Sequence, residues 1–192
     1  MAAMVSLDLR KAFDTVNHRI LLRKLELLGI RGNCYSWFSD YLRDRMQFVT
    51  VSDVKSSSLN INCGVLQGSI LGPTLFLVYV NSISNLNLKG QINLYADDTM
   101  LVYFGDSVEN VRGDILHDLN AIGGWLHAHK LTLNIDKSSF MLVDNKINAD
   151  ELPIIFENNT LKSTRVVKYL GLYIDETLSW EKHVTVLRER DC

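Results

Sequence analysis

The stretch Tyr95-Ala96-Asp97-Asp98 decides how this chain folds. Polar and apolar side chains alternate through residues 91–94 before it, which is the period of a β-strand. A second apolar run, residues 99–104, follows at once. We therefore predict a β-hairpin that carries the two aspartates at its tip.

The two neighbouring carboxylates of this turn repel each other, and a divalent cation between them would relieve the repulsion. Hard oxygen ligands of this kind suit Mg²⁺. The alternative is an ordinary solvated turn, because Asp is a common turn residue. The tetrapeptide alone favours the solvated turn, so the choice depends on the rest of the chain.

The composition is that of an ordinary globular protein. The 192 residues fit one domain, and 47% hydrophobic with 22% charged residues allows a substantial core. The net charge of −2 provides no basic footprint for nucleic acid. This net charge argues against a function that requires nucleic-acid binding, unless basic parts of the protein lie outside this sequence.

The cysteines and the apolar runs indicate the cellular setting. Cys34, Cys63 and Cys192 are scattered and lack metal-ligand spacing, so we expect reduced thiols in an intracellular protein. No apolar run reaches transmembrane length, and the N-terminus lacks the pattern of a signal peptide. We therefore expect neither secretion nor membrane insertion.

Helices are predicted where apolar residues recur every three or four positions. Asn17 is the expected N-cap of a first helix that runs to Leu28, with Gly29 at its C′ position. Further helices are predicted over residues 33–43 and 108–126. The side chains expected to face the core are Leu21, Leu25 and Leu28 of the first helix and Trp37, Phe38, Tyr41 and Leu42 of the second.

Short strands account for much of the remainder. A strand with Asp8 near its C-terminal end starts almost at the first residue, so structure upstream is expected to be missing. Later segments are a hairpin around a Ser-rich loop (46–51 and 59–62), strands 131–135 and 139–143 around Asp136-Lys137, strands 154–156, 166–169 and 172–174 with a break at Gly171, and a helix from Trp180 that is cut off at Cys192. The chain is therefore expected to be truncated at both ends.

Three glycines stand close together in the stretch from Gly64 to Pro73, and they let the backbone approach a ligand or another strand closely. Pro73 suits the first turn of a helix, which we expect to run to about Leu86, apolar nearly all round and buried. The simpler alternative is a strand-to-helix loop that the glycines tighten.

The order of these elements predicts an α+β fold, an antiparallel sheet with helices packed on one face in the split βαβ arrangement. In such a sheet the first strand can lie beside the hairpin, and Asp8 would then stand next to Asp97 and Asp98. Three converging carboxylates are costly without a cation. They suit two metal ions ~4 Å apart, the arrangement that activates a hydroxyl and stabilises a departing phosphate.

Several stretches of the chain together resemble the reverse transcriptases of LINE-type (non-LTR) retrotransposons, with jockey-like animal elements nearest. Residues 6–18 resemble their first catalytic motif, 64–76 the second, 95–99 the third, 131–137 the fourth, and 169–171 the fifth, the primer grip. Residues 45–49 are similar to a segment that this group carries between the first two motifs. The resemblance covers nearly the whole chain and implies the polymerase palm fold, with residues 1–175 as palm and residues 176–192 as the start of a thumb.

The resemblance implies roles at matching positions. Asp8 and Asp97 would bind two Mg²⁺ ions, or Mn²⁺ in their place, with Asp98 beside them and the Leu9 carbonyl as a further ligand. Phe13 would exclude a ribose 2′-OH and so select deoxynucleotides. Gln67 and Gly68 would contact the incoming nucleotide and the template. Lys137 would donate a proton to the leaving pyrophosphate; the simpler alternative is that it is a solvated surface lysine.

The implied function is RNA-directed DNA polymerisation, with an RNA template, a DNA primer and deoxynucleoside triphosphates as partners, in the nucleus or the cytoplasm. Leu66 and Thr74 depart from the family pattern, and the loss of the usual proline at position 66 loosens the loop that presents Gln67. One alternative is a non-catalytic relic or domesticated palm that binds nucleic acid weakly, and another is a palm-type nucleotide cyclase. The oligomeric state stays open.

Overall fold

A computed structural model describes residues 1–143 and 152–190. By the packing of its backbone the chain divides into two compact units. The first, here called the sheet unit, consists of Met1–Arg10, Ile83–Ala128 and the described part of Thr132–Cys192. The second, here called the helical unit, consists of Lys11–Ser82 and His129–Leu131. Each unit is described separately.

The α-helices are α1 (His18–Leu27), α2 (Gly32–Leu42), α3 (Leu71–Val80), α4 (Val108–Ala128) and α5 (Glu181–Arg190), with 3₁₀ turns at Ala12–Thr15 and Asn81–Asn85. The strands are β1 (Ala2–Leu7), β2 (Arg45–Gln47), β3 (Thr50–Val51), β4 (Val54–Lys55), β5 (Leu59–Ile61), β6 (Gln91–Tyr95), β7 (Asp98–Phe104), β8 (Ser139–Val143), β9 (Ile155–Phe156), β10 (Asn159–Thr160), β11 (Lys162–Ser163), β12 (Val166–Tyr169) and β13 (Leu172–Asp175). No helix within the described ranges is long and apolar enough to span a bilayer.

The sheet unit is built on a five-stranded sheet with the strand order β11-β8-β1-β7-β6. Strand β1 lies between β7 and β8 and pairs antiparallel with both, and β6 and β7 form the expected hairpin. The first strand therefore lies directly beside the hairpin, as the sequence predicted. Together with the helices, this sheet confirms the α+β class.

The two faces of this sheet bury different partners. Ala3, Val5 and Leu7 point to one face, where α4 packs against β7. The long helix α4 buries the periodic apolar positions that the sequence identified. On the other face, Val167 of the β12–β13 hairpin packs against Met100 and Met141. Helix α4 therefore lies on one face of the sheet, and the hairpin covers part of the other.

In the helical unit, the start of α1 follows the local sequence signals. The Asn17 side chain accepts a hydrogen bond from the backbone N–H of Ile20 at 3.1 Å and so caps the helix. Lys24 of the same helix donates from Nζ to the Tyr79 carbonyl and to Ser82 Oγ. Partial burial at this place lowers the pKa of Lys24 to about 8.

Several predictions about the helices were wrong. Leu28 lies past the end of α1 and Trp37 points outward from α2, and their side chains are 66% and 53% exposed. Helix α3 ends at Val80 in a 3₁₀ turn, and its Leu77 is half exposed. The reason is common to all three: an apolar residue indicates a core position only if its helix has a neighbour on that side.

Two strand predictions also need correction. The hairpin between β2 and β5 turns at Ser52-Asp53, where both residues have positive φ, and not at the serine run. Residues 131–135 form no strand; Leu133 makes a single bridge to Leu9. Cys34 and Cys63 are exposed and unpaired, whereas Cys192 lies outside the described residues.

Candidate active site

The hairpin tip is a two-residue loop of Ala96 and Asp97, and Tyr95 pairs with Asp98 across it. Asp98 therefore starts β7, and of the two predicted tip residues only Asp97 lies in the loop. Ala96 has a φ of +54°. A side chain in this left-handed region costs roughly 1–2 kcal/mol, so the tip stores backbone strain next to Asp97.

The backbone of Asp8 is held on both sides by the segment that precedes β8. Its N–H donates to Ser138 Oγ at 3.1 Å, and its carbonyl accepts from the N–H of Asn134 at 2.8 Å. Ser138 is completely buried, and its hydroxyl donates to the Asn134 carbonyl. Because the buried Ser138 hydroxyl makes two hydrogen bonds, it leaves the Asp8 backbone little freedom to move.

The sheet register brings the three aspartates to one end of one sheet. Leu7 pairs with Thr99, so Asp8, the next residue, lies beside the start of β7 at Asp98. Partial desolvation of the still exposed Asp98 side chain raises its pKa, and the negative charges of Asp97 and then Asp8 raise it further. The carboxylates of Asp97 and Asp8 therefore lie close enough to act electrostatically on Asp98.

Among residues 1–143 and 152–190, no group of three or more His, Cys, Asp or Glu side chains is arranged to hold a metal ion as it stands. The donor chemistry nevertheless fits a hard cation, since the three aspartates offer carboxylate oxygens and the Leu9 carbonyl is also an oxygen donor. Desolvation and then the neighbouring negative charges raise the pKa of Asp98, and a divalent cation would offset the part that comes from those charges.

The helical unit contains the other predicted nucleotide-site residues. The half-buried Phe13 ring stacks on the buried Phe76 ring with centroids 4.4 Å apart, which fixes its position. Gln67 is exposed, and its amide donates to Asp14 Oδ1 at 3.1 Å. Gly68 has a φ of +79° and open space where a Cβ would be, so backbone conformation rather than crowding requires glycine there.

A family model for "Reverse transcriptase (RNA-dependent DNA polymerase)" matches residues 2–174. This chain belongs to the reverse transcriptase family. The match contains every motif that the sequence analysis used, and members of this family use divalent metal ions. The resemblance to non-LTR elements is confirmed by relatives from the mobile elements jockey and X-element.

Relatives of this reverse transcriptase chain are mobile-element polymerases. It is 29% identical to the RNA-directed DNA polymerase from mobile element jockey of Drosophila funebris, over 95% of the chain and 20% of that protein. It is 27% identical to the probable RNA-directed DNA polymerase from transposon X-element of Drosophila melanogaster, over 96% of the chain and 20% of that protein. The chain thus spans about a fifth of the length of these curated relatives.

The fold of this reverse transcriptase chain is also found in telomerase. Apo telomerase from Candida tropicalis, truncated from its C-terminal domain, matches with a TM-score of 0.61 at 12% identity, over 93% of this chain and 35% of that one. At this identity the likeness shows the fold alone. It agrees with the polymerase palm predicted from the sequence.

One charged residue beside the candidate site, Lys168, has no signal in the sequence. The positive charge of Lys168 opposes the rise in the pKa of Asp98, and its Nζ lies 5.6 Å from the centre of the Tyr173 ring. Burial and then the charge of Asp98 raise the pKa of the neighbouring Tyr169. Only the packing of β12–β13 on the sheet places this lysine near the aspartates, so no local pattern could have identified it.

Lys137, in contrast, lies where the sequence placed it but without a defining contact. It is exposed and precedes β8, whose Ser139 pairs with Ser6 of β1. This register puts Lys137 at the same end of the sheet as Asp8. Its role as a proton donor stays a prediction.

Proposed function

We propose that this chain is the catalytic core of an RNA-directed DNA polymerase of a non-LTR retrotransposon. The reaction is the addition of deoxynucleotides to a DNA primer on an RNA template. One observation carries the proposal: in a chain of the reverse transcriptase family, Asp8, Asp97 and Asp98 lie at one end of one sheet.

Asp8 and Asp97 are the residues that would hold two Mg²⁺ ions, or Mn²⁺, with Asp98 beside them and the Leu9 carbonyl as a further oxygen donor. Bound there, the ions would lower the pKa of the primer 3′-hydroxyl and stabilise the charge on the leaving pyrophosphate. The chain contributes rigidity: the hydrogen bonds of Ser138 and Asn134 hold the Asp8 backbone, and the strained hairpin tip orients Asp97.

The remaining roles follow the same proposal. Phe13, fixed against Phe76, would exclude a ribose 2′-OH, and Gln67 and Gly68 would contact the incoming nucleotide and the template. Lys137 would donate a proton to pyrophosphate. Residues 1–175 would form the palm and residues 176–192 the start of the thumb, and the complete protein would act in the nucleus or the cytoplasm.

The proposal is tested by metal binding, measured on the 192-residue chain by Mn²⁺ electron paramagnetic resonance with Mg²⁺ competition. Asp8→Asn and Asp97→Asn should each weaken binding at least tenfold. Asp53→Asn is the matched control, because it removes the same charge from an exposed turn of the helical unit. Equal affinities in the wild-type chain and the Asp8 and Asp97 variants would refute a metal site at these residues and would favour a non-catalytic palm.

A further inference from the structure

An aromatic and cationic ladder stands on the surface of the helical unit. The rings of Trp37 and Tyr41, one helical turn apart on α2, stack with centroids 5.5 Å apart and planes 13° apart. The Arg45 guanidinium carbon lies 4.8 Å from the centre of the Tyr41 ring, and its Nε donates to the Tyr41 carbonyl at 2.7 Å. The Tyr41 hydroxyl also donates to Ser69 Oγ at 3.3 Å. The result is three flat groups in a row, held by stacking and two hydrogen bonds.

This ladder is partly open to solvent, since Trp37 is exposed and Tyr41 and Arg45 are half-buried. Trp37 is 53% exposed, although the periodicity of α2 predicted an inward position. Among the described residues, no carboxylate forms an ion pair with Arg45. A second pair of the same kind lies along the chain in the β2–β5 hairpin region, where Lys55 Nζ stands 5.0 Å from the centre of the half-exposed Phe48 ring.

A cleft of about 650 Å³ begins at the ladder and continues into the helical unit. Tyr41 and Arg45 belong to both, since they also line the cleft. Lys11 and His18 add positive or protonatable groups to its wall, and Asp14, already bonded to Gln67, is the carboxylate there. The remaining wall includes amide side chains that can bond to bases or sugars.

The charge of the chain is unevenly divided between its units. The helical unit contains nine Lys and Arg against five Asp and Glu, a net charge of +4. The rest of the 192-residue sequence contains eleven against seventeen, a net charge of −6. The overall value of −2 therefore conceals a basic unit, and the ladder and the cleft both belong to it.

We propose that the ladder and its cleft bind single-stranded nucleic acid. Bases would stack on Trp37 and on the Arg45–Tyr41 pair, while Arg45 and Lys11 attract the phosphates. Stacking on exposed aromatic faces beside cations is how single strands are held without regard to sequence, because every base has a flat face. The inference rests on the proposed function, in which the strand is the unpaired RNA template, and it adds a binding surface outside the metal site.

The test is fluorescence anisotropy of a labelled single-stranded RNA of twelve mixed nucleotides, titrated with the 192-residue chain in EDTA. Trp37→Ala and Arg45→Ala should each weaken binding about tenfold, in the range that base stacking provides. Trp37→Phe retains a ring and should bind within about threefold of wild type, whereas Arg45→Lys retains only the charge and should lose most of the stacking contribution. Arg23→Ala, which removes one exposed positive charge from α1, is the control and should have little effect.

Three results would overturn the inference. One is an Arg45→Ala loss no larger than that of Arg23→Ala, which would reduce the binding to general charge. A second is equal binding by Trp37→Ala and Trp37→Phe. The third is self-association through this face, seen as a Trp37-dependent dimer in sedimentation. Circular dichroism checks that each variant is folded.

This assay is independent of the metal site. It contains no metal or nucleotide, so its result does not depend on whether the aspartates hold a metal ion. A failed Mn²⁺ experiment with intact Trp37-dependent RNA binding would therefore reject the polymerase site and keep this surface. Metal binding that depends on Asp8 and Asp97, together with RNA binding that does not depend on Trp37, would reject this surface and keep the polymerase site.

Discussion

The substitution Ala96→Gly tests whether the hairpin tip is strained, with a magnitude that follows from one dihedral angle. Ala96 has a φ of +54°, and this conformation costs an L-residue roughly 1–2 kcal/mol. Glycine adopts it without that cost but loses more backbone entropy on folding, about 0.5–1 kcal/mol. The two effects leave a net stabilisation of about 0.5–1 kcal/mol.

The matched control is Ala121→Gly. Ala121 is half-buried like Ala96 but lies inside α4, where glycine costs about 1 kcal/mol of stability. The two Ala-to-Gly changes should therefore have opposite signs in urea unfolding, at an unchanged m-value. An Ala96→Gly variant less stable than wild type would refute the strain argument and would show that the Ala96 methyl packs usefully.

The remaining predictions concern single groups. In the metal-free chain the pKa of Asp98 is raised, so the stability that this group contributes is present at low pH and is lost as the pH rises through its titration. The Asp98→Asn variant should therefore be more stable than wild type at pH 7. Urea unfolding should show that this difference shrinks towards pH 4. Lys24 has its pKa lowered to about 8, so between pH 8 and its ordinary 10.5 the unfolded chain binds more protons, and wild type should gain stability relative to Lys24→Met over that window. In a polymerising protein that contains this chain, Phe13→Val should raise ribonucleotide incorporation relative to deoxynucleotide; unchanged discrimination would show that Phe13 only packs on Phe76. The 192-residue chain alone should extend an RNA-templated primer no faster than its Asp97→Asn variant. Positioning of the reactants accounts for about 7–11 kcal/mol of barrier reduction, and this chain spans only 20% of the jockey polymerase. Extension well above the Asp97→Asn control would contradict this expectation.

The sequence by itself determined the elements that depend on neighbours a few residues away. The hairpin within residues 91–104, the α1 cap at Asn17 and the apolar period of α4 each follow from short-range rules, and the structure contains all of them. The tip of the hairpin lies one residue earlier than predicted. The place of β1 beside the hairpin also followed, because a strand that ends in Asp8 can share a sheet end with Asp97 and Asp98 in the predicted arrangement. The family itself was readable from the ordered motifs.

Tertiary structure alone decided which side chains from distant segments meet and which stay exposed. Lys168 reaches the electrostatic environment of Asp98 because β12 packs across the sheet, and Ser138 fixes Asp8 across 130 positions of sequence. Trp37 was predicted inward because periodicity shows that a helix has an apolar side, but only a packed neighbour makes that side a core. The net charge of −2 likewise does not reveal the basic helical unit, because a sum over the whole chain does not show which charged residues fold into the same unit.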